Sequence, residues 1–119
     1  MAKVNSNLEL PIPRAIAERS GHPPGGSVVK ALDWQGRTFV FREPITLRFE
    51  VIGDLWTCEC HAFGLLAHGP SRATAAASLA EDFADYWDLI AMADDAALAP
   101  DALRLKAKLI GSVAAILPA

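Results

Sequence analysis

Between residues 71 and 93 the apolar side chains return at helical intervals. Ala76, Ala80, Phe83, Trp87 and Ile90 follow one another at i, i+4, i+7, i+11 and i+14, which stacks them in one narrow stripe. Glu81, Asp85 and Asp88 fall on the opposite side. Gly69-Pro70 breaks the chain just ahead, and Ser71 stands where an N-cap is needed to take up the first free N–H groups. The pattern predicts a long amphipathic helix with a small-residue face, anchored by Phe83 and Trp87, made to lie on something flat.

Upstream the period drops to two. Residues 27–34 and 36–43 read as two strands joined by a turn, and Glu43-Pro44 is expected to interrupt the second. Residues 46–52 then place Leu47, Phe49 and Val51 on one face, with Thr46, Arg48 and Glu50 on the other. Gly53-Asp54 supplies a tight reversal. Residues 55–63 put Trp56, Cys58 and Cys60 on one face and Thr57, Glu59 and His61 on the opposite one, and a short extended piece, residues 64–69, leads into the helix. Alternation between glycine-containing turns indicates antiparallel pairing with one buried face, for which Phe49 and Trp56 are the anchors. The predicted class is α+β: an antiparallel sheet of three to four strands, in the order β-β-β-β-α, covered by one long helix and followed by a C-terminal helix.

The flanks are less regular. Residues 1–27 read as an N-terminal arm, since residues 8–27 hold four prolines and three glycines, with one short helical stretch near 13–19. Residues 28–95 form the expected sheet–helix core. In residues 96–119, Asp101 is a candidate N-cap for a helix through 102–117. Leu103, Leu105, Ala107 and Leu109 also alternate with Arg104, Lys106 and Lys108, as a strand would. The cap and the alanine content favour helix. Such a helix is greasier than one contact face requires, which points to an oligomerisation element. Leu89 and Met92, on or near the acidic side of the long helix, point the same way.

The chain has 119 residues and is 52% hydrophobic, enough for one compact domain. No apolar run reaches the length of a membrane span, and the N-terminus has no continuous apolar segment of the secretory kind, so a cytoplasmic protein is expected. The net charge of −3 is unevenly spread. Residues 1–53 hold seven Lys/Arg against five Asp/Glu, residues 54–99 hold one against eight, and residues 100–119 hold three against one. Acidity is thus concentrated around the long helix. That face repels phosphate backbones and attracts a basic protein partner, or else is a solvated surface paired with bases of the same chain.

Cys58-Glu59-Cys60-His61, with His68 beyond, carries ligand types that zinc prefers. The spacing argues against a site. Cys58 and Cys60 share the covered face with Trp56 while His61 points away, and C-x-C is not the usual structural-zinc separation. Buried reduced thiols acting as small apolar fillers are expected, and no disulfide between such close neighbours. Glu50 and Glu59 are possible neighbours across the Gly53-Asp54 turn, but an open sheet face lacks the enclosure that a catalytic carboxylate pair needs. No G-x-S-x-G, P-loop or G-x-G-x-x-G is present. Neither enzymatic activity nor a cofactor is expected. Arg37, Arg42 and Arg48, with Trp34, Phe39 and Phe41 nearby, are the candidates for nucleic-acid contact, a mixture that any half-buried sheet contains.

The order TLRFEVI-GD-LWTCECHAF-GLLAHGPS-RATAAASLAEDFADYWDLIA, about residues 45–93, resembles the HicB-like antitoxin family, whose core is a partial RNase H-like arrangement of a small antiparallel sheet and one helix. The resemblance rests on the strand pair around Gly53-Asp54, on Gly69 and on the alanine-rich helix opening at Ser71. The chain departs from the family in lacking a proline-containing loop after the second strand. It also has Ala73, Thr74 and Ala75 where an acid is common, and no evident DNA-binding module after the core. The resemblance implies an interaction role without catalytic carboxylates.

Two functions compete. One is a non-catalytic, antitoxin-like module that self-associates as a dimer or higher oligomer and masks a small basic, toxin-like partner through Glu81, Asp85, Asp88, Leu89 and Met92. The other is a regulator that binds nucleic acid or a small ligand through the outer sheet face and the arm.

Overall fold

The computed structural model describes residues 3–4 and 25–118, so most of the arm expected over residues 1–27, including the short helix near 13–19, lies outside the described residues. The class is α+β. Among the described residues six strands form one antiparallel sheet: β1 (Lys3–Val4), β2 (Gly25–Trp34), β3 (Arg37–Ile52), β4 (Leu55–Cys60), β5 (Leu65–Gly69) and β6 (Val113–Pro118). β1 to β5 lie side by side in chain order, and β6 pairs with β3. Helix α1 (Arg72–Tyr86) covers one face, and α2 (Pro100–Ser112) precedes β6.

The two tightest hairpin turns need positive φ, which glycine adopts freely and Gln35 adopts at some cost. Gln35 and Gly36 have φ of 47° and 83°, the two left-handed positions of a type I′ turn, and Gly53, at φ 61°, opens the two-residue reversal between β3 and β4. Phe49 is opposite Cys58, and Val51 is opposite Trp56, so residues 48–52 and 55–59 pair in the register their alternation requires. Val51, expected on the covered face, is nevertheless 41% exposed because it lies near the hairpin tip, beyond the cover of the helix. Cys58 and Cys60 in turn lie opposite Ala67 and Leu65, which makes residues 65–69 a full strand rather than a loose lead-in.

Glu43-Pro44 does not interrupt the sheet. β3 runs for 16 residues straight through it. The reason lies in what its neighbours ask of the backbone there. β2 pairs with β3 through Ile45 and again from Val40, leaving the intervening residues without a partner on that side. On the other side β6 pairs only as far as Phe41 and β4 only from Arg48. Pro44 therefore withholds an N–H that no neighbour needs.

The C-terminal segment also differs from a single long helix. Ala99 is the N-cap and Pro100 occupies the first helical turn, where its missing N–H costs nothing. Asp101 lies inside that turn and pairs with Arg104 instead of capping. The helix stops at Gly111-Ser112, and the β-branched Val113 and Ile116 continue as β6 beside the first half of β3. Residues 103–109, whose alternation also fitted a strand, are helical, and the helix expected to reach 117 ends at 112.

The core is an aromatic seam between sheet and helix. Phe83 of α1 is fully buried, with ring centroids 5.1 Å from Phe39, 5.4 Å from Phe41 and 5.2 Å from Phe63, each pair edge-on or nearly so. Edge-to-face pairs of this kind add about 0.5–1.5 kcal/mol each beyond the burial of their area. Ala75, Ala76, Leu79, Ala80 and Ala84 complete the buried helix face, and Phe49 is buried beneath it. Trp87 is half-buried, 5.9 Å from Phe39, and Trp56 is likewise half-buried against the core.

The helix starts where it does because two features coincide. The Ser71 side chain accepts from the Thr74 N–H at 3.1 Å, while the Ser71 N–H donates to Thr74 Oγ1 at 2.9 Å, a reciprocal capping box. Gly69 lets this turn close onto β5: a Cβ there would lie 2.5 Å from Thr74 Oγ1 and 2.9 Å from the Ala75 nitrogen. Gly69→Ala should therefore cost about 1–3 kcal/mol in denaturant unfolding. Phe83→Ala should cost about 3–5 kcal/mol in the same measurement.

Candidate interaction surface

The helix does not end as a plain α-helix. Residues Trp87–Ala91 form one π turn, in which the Met92 N–H donates to the Trp87 carbonyl at 3.1 Å. Such single π turns insert a residue and rotate the downstream side chains relative to a straight helix. Lys106 of α2 secures this end, its Nζ donating to the Ala93 carbonyl at 2.5 Å and to Asp95 at 2.7 Å. A cation at a helix C-terminus also meets the negative end of the helix dipole.

The five residues expected to meet a partner separate into distinct settings. Asp88 accepts two hydrogen bonds from the Arg37 guanidinium, at 2.9 and 3.0 Å. Arg37 itself lies over the Phe39 ring, 5.1 Å from its centroid, so this pair ties α1 to the start of β3. The Arg37 contact holds the Asp88 carboxyl below its usual range, despite an opposing effect of burial. Glu81 and Asp85 are exposed, and Leu89 and Met92 are 71% and 67% exposed. Asp85 and Leu89 border a groove; Glu81 and Met92 do not.

That groove, about 380 Å³, lies between α1 and the edge strand β5. Leu66 forms part of one wall, and Asp82, Asp85, Tyr86 and Leu89 form the other. Asp82, Tyr86 and Leu89 recur at i, i+4 and i+7, a second stripe beside the one that carries Glu81 and Asp88. Burial, with Asp85 nearby, pushes the Asp82 carboxyl up, an effect that His68 partly offsets. Among the described residues no Lys or Arg forms an ion pair with Asp82 or Asp85. Sequence reasoning missed Leu66, Asp82 and Tyr86. The second stripe was the available signal for the helical pair; Leu66 joins them only through the fold.

Other candidate groups are not brought together. Arg42 and Arg48 share a parity along β3 that Arg37 does not, and Arg37 turns toward the helix, so the three do not line one side. Phe39 and Phe41 are buried in the seam and Trp34 packs against the core. Glu59 is opposite Arg48, and Glu50 opposite Thr57, so the two carboxylates are diagonal neighbours rather than a facing pair. Cys58 and Cys60 are buried and not joined by a disulfide; burial pushes the Cys60 thiol up. Among the described residues no group of three His, Cys, Asp or Glu side chains is placed to hold a metal ion. No described helix is long and apolar enough to cross a membrane. A second hollow, about 290 Å³ beside Arg42, Pro44 and Gly111, is bridged by the Arg42 Nε hydrogen bond to the Gly111 carbonyl and gathers no reactive set.

No family model matches the chain, and no curated protein or solved structure is significantly similar to it.

The two perturbed aspartates should respond to pH with opposite signs. Asp88 has a lowered folded pKa, so its contribution is present above the unfolded value near pH 4 and is lost as pH falls through the folded one. Asp88→Asn should cost about 0.5 kcal/mol at neutral pH, the pair being half-exposed and screened. That difference should close in acid. Asp82 has a raised folded pKa, so Asp82→Asn should be neutral to stabilising above it, with any advantage fading as pH falls. Urea unfolding across a pH series measures both.

Proposed function

We propose that this chain is a non-catalytic protein–protein interaction module, antitoxin-like in the sense of the HicB-like resemblance, which masks a small basic partner and associates with further copies of itself. The observation that carries this reading is the exposed helix surface. Leu89 and Met92 stand 71% and 67% exposed at the end of a helical run whose earlier turns present Glu81 and Asp85 to solvent and whose other face is locked to the sheet by Phe83. A rigid platform with apolar centres and carboxylates around them suits a basic protein: the charges steer the encounter, and the apolar side chains hold the contact. Methionine is among the residues enriched at such contacts.

Self-association falls to the C-terminal unit in this reading. Ile110, Ile116 and Leu117 are exposed there, and β6 pairs on one side only among the described residues. An uncharged, apolar edge strand is a ready template for a second strand. Removing residues 100–119 is a poor probe, because Leu109 and Val113 belong to the core. Leu117→Lys is the cleaner change. Light scattering after size exclusion should find a dimer or higher species for the native chain and a monomer for this variant. A monomeric native chain would remove self-association from the proposal.

For the partner, Glu81→Lys/Met92→Lys leaves the core, the groove and the Arg37–Asp88 pair intact. A basic protein should co-purify stoichiometrically with the native chain from its source cells. Its affinity should fall about tenfold or more in the double variant, in a salt-dependent way. Absence of such a partner, or indifference to the reversal, would overturn the masking role.

A further inference from the structure

β5 ends the β1-to-β5 ladder, so one of its two edges carries backbone N–H and C=O groups that no strand among the described residues takes up. Exposed edges are usually blunted by Lys, Pro or a bulge. Leu65–Gly69 contains no Lys, Arg, Asp, Glu or Pro, and Leu66 at its middle is 64% exposed. The groove borders the start of this strand, at Gly64, Leu65 and Leu66, and its helical wall carries Asp82 and Asp85, which form no ion pair with a Lys or Arg among the described residues.

We propose that this groove receives an extended, basic segment of a partner protein, which adds a strand to β5 and sets alternate Lys or Arg side chains against Asp82 and Asp85. The proposal rests on the interaction-module reading and gives that module a site and its partner a chemistry. Added strands lie about 4.8 Å from the edge they join, and their side chains alternate between the two faces of the sheet. On the helix side they meet the flank of α1. There the carboxylates receive the cationic heads, and Tyr86 and Leu89 receive the aliphatic stems. On the outer side they meet Leu66, which lies opposite Glu59 on the face away from the helix. The segment that fits therefore alternates basic with apolar residues.

An extended occupant is favoured over a helical one because only an extended backbone can pair with the waiting edge groups. A protein is favoured over a nucleic acid because the groove would oppose phosphates with two carboxylates. The raised pKa of Asp82 agrees with this: burial and Asp85 both work against its charge, and an arriving cation relieves that.

The test pans a random linear peptide library, displayed on phage, against the full chain. Enriched peptides should alternate Lys or Arg with apolar residues, and amide NMR shifts of residues 64–69 should move on adding the synthetic peptide. Asp82→Asn/Asp85→Asn should weaken binding about tenfold and flatten its salt dependence. N-methylation of alternate peptide amides should weaken it about as much, by removing ladder bonds without altering the protein. Glu81→Gln, outside the groove, serves as the control and should have little effect. No enrichment, enrichment of peptides without bases, shifts that map elsewhere, or binding that survives N-methylation would overturn the proposal. If it fails while Glu81→Lys/Met92→Lys still weakens the co-purified partner, the groove assignment falls and the interaction role stands. If peptide binding holds while that double variant has no effect, the groove stands and the helix-face role falls.

Discussion

Four phenylalanines hold this molecule in one shape. Phe39 and Phe41 come from the first half of β3, Phe63 from the short turn after β4, and Phe83 from the last turn of α1, and their rings meet around Phe83 at 5.1 to 5.4 Å. A sheet with one apolar face is unstable in water until that face is covered, and α1 is the element that covers it. Ring geometry also fixes where the helix sits. Phe83 can reach all three partners only if α1 begins at the right distance from β5, and Gly69 with the Ser71–Thr74 box sets that start. A local constraint of three or four residues thus determines a contact assembled from three distant parts of the chain.

The long β3 is what allows so small a chain to build a broad sheet. Its first half is flanked by β2 and β6, its second by β2 and β4, and the unpaired stretch between them absorbs Pro44. The same arrangement brings the two ends of the sequence pattern together. Arg37, at the start of β3, reaches Asp88 near the end of the helix, and Val113, after α2, lies opposite Phe41.

These relations mark the limit of what could be read in the residues alone. The hairpin of residues 45–60 and the helix at Ser71 were legible because their burial follows local periods, every second residue over 45–49 and 58–60 in one and one stripe in the other. The period fails only toward the hairpin tip, where Val51 is exposed. Pro44 misled because proline excludes a strand only where a neighbour requires its N–H, and that depends on pairing partners far along the chain. Residues 103–109 satisfied helical and strand spacing together and fold as helix, while the strand begins only at Val113, beside an open flank of β3. Asp88 looked equivalent to Glu81 and Asp85 because helical spacing distinguishes faces but does not reveal an arginine 51 residues away. Leu66 and Asp82 share a groove only after β5 and α1 pack.

The acidity of residues 54–99 therefore has at least two physical consequences. Asp88 is engaged within the molecule, whereas Asp82 and Asp85 stand near the β5 edge without an ion pair to Lys or Arg among the described residues. On the proposed reading this placement also governs which strand may join. Two copies meeting edge to edge at β5 would bring four of these carboxylates together, and like charges in partial burial disfavour that pairing. A basic segment meets the reverse situation. β6 carries no charge along its length, so nothing comparable opposes a second copy there. On this reading a pair of aspartates gives these two edge strands different preferences: β6 is left to a second copy, and β5 to a partner of opposite charge.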